Sequence, residues 1–98
     1  EVEGKNEEIK IVRKGEWKNG LLNGQGEHLY ENINDNYSEH SKGEFKEGSL
    51  HGQGLYKSNF MRDEGEFENG ILYNGSFDDK INRRRGTTTN GSQYHEYY

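Results

Sequence analysis

Lys42 to Tyr56 reads KGEFKEGSLHGQGLY, and this stretch decides the fold. A strand-like alternation, Gly43-Glu44-Phe45-Lys46, puts the ring on one face and the charges on the other. Glu47-Gly48 follows as a turn, and a second strand begins with Leu50 two residues past it. Gly52 and Gly54 then sit inside that strand, where glycine marks a close backbone approach or room for a neighbouring ring. The whole therefore reads as a β-hairpin with space reserved for an aromatic side chain of the next hairpin.

The same pattern recurs. Lys14 to Tyr30 reads KGEWKNGLLNGQGEHLY, and Glu64 to Phe77 reads EGEFENGILYNGSF. Gly15, Gly43 and Gly65 each precede Glu-aromatic, and Gly20, Gly48 and Gly70 follow five residues later. Asn19-Gly20 and Asn69-Gly70 are strong type I′ hairpin signals, because both positions need positive φ. Leu22, Leu50 and Leu72 hold matching places after the turns. GTTTNGSQY, Gly86 to Tyr94, is a degraded fourth unit with Thr88 in place of the ring, and reads as a terminal cap. The leading glycines are 28, 22 and 21 residues apart, so the natural period is about 22. The first unit carries about six extra residues, placed in the Asn-rich stretch 31–41 and read as a surface loop. In the third unit Asn74 falls where Gly24 and Gly52 fall, and Ser76 where Gly26 and Gly54 fall, which leaves its register open.

Composition agrees with a repeat sheet and narrows the chemistry. The 98 residues make one domain, units 14–30, 42–56, 64–77 and cap 86–94 included. Leu, Ile, Val and Phe total only 17 residues, which would flag disorder, but 12 % of the chain is aromatic and disordered chains are poor in rings. The chain has no alanine, proline or cysteine, which argues against a helical bundle, a disulfide scaffold and a thiol catalyst. No apolar run is long enough to span a membrane as a helix. The first residue is Glu rather than Met, consistent with a domain excised from a longer protein.

The glycines and rings in fixed register, Gly15, Trp17, Gly20, Gly24, Gly26 and Gly43, Phe45, Gly48, Gly52, Gly54, Tyr56, resemble the MORN repeat (membrane occupation and recognition nexus). The resemblance covers about Lys14 to Tyr94. It implies an all-β, elongated, twisted antiparallel sheet of consecutive stacked hairpins. It also implies a non-catalytic scaffold or accessory module, cytoplasmic and cytoskeletal or at the membrane periphery, that binds a protein partner or a segment of its own longer chain.

Candidate surfaces follow. Trp17, Tyr30, Phe45, Tyr56, Phe67, Tyr73 and Phe77 recur on one face and form either the core or a set of aromatic anchors for a partner. Trp17, Phe45 and Phe67, in the most regular positions, read as core; Tyr30, Tyr73 and Phe77 read as the better partner surface. Glu16, Glu44 and Glu66 read as a solvated outer face with weak cross-strand pairs. Arg83, Arg84 and Arg85 form the one basic run and supply the alternative, an anionic lipid headgroup. Three arginines on a chain of net charge −5 make that attachment weak, since lipid-directed clusters carry about four to eight bases. The acidic balance also excludes a nucleic-acid partner. His28, His40, His51 and His95 have no ligand spacing, so no metal is expected, and His51 before Gly52 reads as structural. No nucleophile elbow or phosphate-cradling loop occurs, so no catalytic residue and no cofactor are expected. Tyr94, Tyr97 and Tyr98 at the end read either as an edge for homodimerisation or as a lid folded on the last hairpin.

Overall fold

Four dipeptides set the hairpins. Asn19-Gly20, Glu47-Gly48, Asn69-Gly70 and Asn90-Gly91 have φ of 51°/79°, 50°/87°, 52°/83° and 49°/82°. Positive φ at both central positions is the type I′ geometry, whose twist matches that of the flanking strands. In a computed structural model that describes residues 2–3 (backbone) and 8–97, these turns close four of the hairpins in a run of nine strands. They are β1 (Val2–Glu3), β2 (Ile9–Lys18), β3 (Leu21–Asn32), β4 (Tyr37–Lys46), β5 (Ser49–Ser58), β6 (Met61–Glu68), β7 (Ile71–Asp79), β8 (Arg84–Thr89) and β9 (Ser92–Tyr97). All pair antiparallel in chain order to give one open sheet. The Cα trace measures 39 × 32 × 12 Å, the thickness of a single twisted layer. The chain is therefore all-β, an array of consecutive hairpins as the repeat implied.

Glu47 is the one non-amide residue among the four first turn positions. Its left-handed backbone suits Asn better, because Asn tolerates that region at little steric cost. Glu47→Asn is expected to raise the chemical-denaturation midpoint, by up to about 1 kcal/mol of stability.

Each later turn hangs on the hairpin before it. Gly48 N–H donates to Leu22 O (2.9 Å), Gly70 N–H to Leu50 O (2.8 Å) and Gly91 N–H to Tyr73 O (2.9 Å). The neighbouring amides of Glu47, Asn69 and Asn90 donate to Asn23 Oδ1 (3.5 Å), His51 Nδ1 (3.4 Å) and Asn74 Oδ1 (2.8 Å). His51 is thus a latch between units, the structural role expected of it.

Six glycines are successive cross-strand partners: Gly15, Gly26, Gly43, Gly54, Gly65 and Gly75. They form a shelf bare of side chains. A Cβ on Gly26 would lie 3.4 Å from the ring of Phe45, and one on Gly54 3.4 Å from the ring of Phe67. The rings of each unit rest on the glycines of the unit before. Leu22, Phe45, Leu50, Phe67, Leu72 and Phe77 make the buried cluster, with Tyr56 packed against it.

Two expectations change here. Residues 31–41 are not a loop: Glu31 and Asn32 finish β3, Tyr37 to Ser41 begin β4, and only residues 33–36 turn. The extra residues lengthen a hairpin, because Asn32 and Asp35 close its end through two mutual hydrogen bonds and Asn59 from the next turn ties Ser38 and Asn36. In the third unit Gly75 faces Gly65 as Gly26 faces Gly15 and Gly54 faces Gly43, so Gly75, not Ser76, holds the shelf position. β7 is one residue shorter between Leu72 and that glycine. Toward β8, Phe77 then pairs with Gly86 where a glycine paired in the earlier units, and Thr88 is buried where Phe45 and Phe67 stood. Phe77 supplies the bulk that Thr88 lacks.

Candidate partner-binding face

Cross-strand partners share a face, and along a strand every second residue does. From buried Phe45 the same face runs along β4 through Gly43, Ser41 and Glu39 to Tyr37. Glu39 lies opposite Tyr30, and Ser41 opposite Tyr56, which in turn lies opposite Asp63. Tyr30, Tyr37, Tyr56 and Asp63 therefore continue the face of the buried cluster outward.

The rings there touch. Tyr30 and Tyr37 meet edge to face with centroids 6.5 Å apart, and Tyr37 stacks on Phe60 from the following turn at 6.4 Å. Phe60 is 46 % exposed, so an apolar strip runs from the core to solvent. Tyr37 donates its hydroxyl to Glu39 Oε1 at 2.7 Å. That carboxylate, and then burial, hold the Tyr37 phenol above the ordinary tyrosine range. Burial, with the charge of Glu39, also raises Tyr56.

The seven rings singled out from the sequence divide. Phe45, Phe67 and Phe77 are 5 %, 2 % and 7 % exposed and offer a partner nothing. For Phe77 this corrects the expectation, since its pairing with Gly86 turns it into the core. Trp17, expected in the core, is 37 % exposed. Among the described residues β1 pairs only with Val12 and Ile11, so no glycine shelf lies beyond β2 beside this ring. Tyr30 and Tyr56 are half-buried and come together with Tyr37 and Phe60. Tyr73 is half-buried beside the last turn, where its ring lies against Gly91. Tyr37 and Phe60 were missed because they stand between units and no repeat position marks them. The alternation along KGEF extended backwards to Tyr37 is the signal that finds the first of them.

The other surfaces are structural. Glu16 and Glu44 fold over Gly24 and Gly52, where an added Cβ would meet each carboxyl carbon at 2.8 and 2.9 Å. Glu16 Oε1 accepts from Gln25 N–H (3.0 Å), and Glu66 Oε1 from Asn74 Nδ2 (2.6 Å). The arginine run is not one basic patch, because a strand sends neighbours to opposite faces. Arg83 sits in the turn with φ 55°, Arg84 reaches Asp79 on the ring face at 3.3 Å, and Arg85 lies on the other face opposite Asp78 and Glu96. His40 meets Glu27 at 3.2 Å. Among the described residues no group of three His, Cys, Asp or Glu side chains is placed to hold a metal ion. The tail forms β9 rather than a lid, with Tyr94 and Tyr97 exposed on it; Tyr98 lies outside the described residues.

Asp79 anchors the turn before β8. Its carboxylate accepts from the amides of Ile81 and Asn82, from Asn82 Nδ2 and from Arg84. The bonds from Asn82 above all hold this carboxyl below the ordinary range. A lowered folded value stabilises the fold above the unfolded value and is lost as pH falls through the folded one. Asp79→Asn is therefore expected to lower the urea midpoint at neutral pH and to flatten its fall in acid.

The family model of the MORN repeat matches residues 14–32 and 42–59, which are the hairpins of β2–β3 and β4–β5. No curated protein and no solved structure gives a match.

Proposed function

Since this chain is a MORN-repeat protein, of a repeat generally associated with protein or membrane interaction and generally non-catalytic, we propose that it is a scaffold-type module that binds a partner protein along the ring face of its sheet. The observation that carries this reading is the strip Tyr30–Tyr37–Phe60, which Tyr56, hydrogen-bonded to Tyr37 and packed against the buried cluster, links to the core. Aromatic side chains bring large contact area at low entropic cost, and Tyr is enriched among residues that dominate binding energy. A single-layer sheet also supplies a rigid floor. A membrane partner is the weaker reading, because the three arginines are dispersed over the turn and both faces.

Co-purification with the partner from the native cell tests the reading. Phe60→Ala and Tyr30→Ala are expected to lose the partner at least about tenfold, the loss typical of an anchor residue, with the β circular-dichroism signal kept. Lys57→Ala, on the opposite face, is the control. Loss through Lys57→Ala with Phe60→Ala silent would reject the ring face.

A further inference from the structure

Asp63 stands out on the ring face. It lies between Tyr56 on β5 and Phe77 on β7, partly withdrawn from water. The other carboxylates of this face have donors: Glu39 takes the hydroxyl of Tyr37, and Asp79 takes Ile81, Asn82 and Arg84. Among the described residues the Asp63 side chain has no hydrogen bond and no ion pair. No base of its own strands reaches it. Lys57 and Arg62 are cross-strand partners on the opposite face, and Arg62 is turned to Glu64 at 3.5 Å. Arg84, on the ring face, is taken by Asp79.

An unpaired carboxylate withdrawn from water is costly to keep charged. Burial, and then the charge of Asp79, push the Asp63 carboxyl above the ordinary range. The fold bears this penalty with nothing internal to offset it. A cation arriving from outside removes it, and Tyr56, the cross-strand partner of Asp63, puts an aromatic ring beside the same place. The electrostatic need and the aromatic surface coincide at one place.

We propose that the segment bound on the ring face delivers a lysine or arginine side chain to Asp63, beside Tyr56, while its apolar residues lie on Tyr30, Tyr37 and Phe60. The inference rests on the ring face being the binding surface. It makes the partner a basic and apolar peptide segment, and it makes Asp63 the residue that selects for the base. The pair is worth more than a rim pair, because a carboxylate already partly withdrawn from water loses less on binding.

The probe is a fluorescein-labelled decapeptide with two Phe and several Lys, beside counterparts carrying Ser or Glu in place of Lys. Binding is read by anisotropy near physiological salt, where diffuse attraction to the acidic chain is screened. The Lys peptide is expected to bind tightest. Asp63→Asn should weaken it about tenfold, the order for a hydrogen bond to a charged group. Glu64→Gln, one residue away on the opposite face, should change it less than about twofold, as for a surface charge. Equal losses from the two variants, or no preference for Lys, would overturn the proposal. Phe60→Ala separates the two levels. If it weakens all three peptides while Asp63→Asn weakens none, the ring face stands and the cation seat falls. If neither variant matters, both fall. Asp63→Asn removes an unpaired charge and is expected to keep or raise the melting temperature, so loss of fold does not confuse the result.

Discussion

Phe67→Ala is expected to remove most of the chain's stability. The ring is the most buried of the six in the cluster, 2 % exposed, and rests on the Gly54 shelf between Leu50 and Leu72. Phe-to-Ala substitutions in a core cost about 3 to 5 kcal/mol. Small domains hold only about 5 to 15 kcal/mol in total, and a single-layer sheet with six buried apolar side chains among the described residues belongs at the low end. Among the described residues there is no second layer to collapse into the hole. Trp17→Ala should cost less than half as much, although the larger ring is removed, because Trp17 is already 37 % exposed. Urea denaturation of the two variants checks the contrast, and a larger loss at Trp17 would mean that the core is misplaced.

Gly43→Ala is expected to be as damaging, by a different route. Gly43 has φ 141°, and an added Cβ would overlap the carbonyl of Gln53 and lie 2.6 Å from the Cα of Gly54. These are backbone atoms of the paired strand, so the ladder itself must open. The expected loss exceeds about 3 kcal/mol, at the severe end for single substitutions. Gly20→Ala gives the comparison. Gly20 also has positive φ, 79°, but nothing lies within 4 Å of its Cβ position. Only the conformational penalty of about 1 to 2 kcal/mol applies there. Similar midpoints for the two variants would show that close strand approach does not set the glycine row.

Much of this fold is legible in the chain. Asn-Gly at turn centres, rings after Gly-Glu and glycines spaced two apart are local signals with local causes. Gly26 and Gly54 leave room for a neighbour's ring, and Phe45 and Phe67 occupy that room. The failures come where non-local pairing decides. Asn-rich 31–41 has loop composition, yet it pairs residue by residue from Asn32–Tyr37 inward. Phe77 sits in a unit one residue short, so its partner on β8 and hence its burial depend on a register that no local feature sets. Trp17 matches Phe45 in sequence and differs only in having no shelf beyond it among the described residues. The arginine triplet is contiguous in sequence and dispersed in space, because the run crosses from a turn into a strand. Asp63 carries no motif at all. Its isolation appears only once the donors around it are accounted for.

The most direct test of the account is photo-crosslinking in the native cell, with a benzoylphenylalanine at position 60 and, separately, at position 57. The two sites adjoin the same turn but belong to opposite faces of the sheet: Phe60 stacks on Tyr37 of the ring face, and Lys57 pairs with Arg62 on the charged one. A discrete protein adduct from position 60, weak or absent from position 57, is the predicted result. An adduct from position 57 alone would place the partner on the charged face and contradict the account.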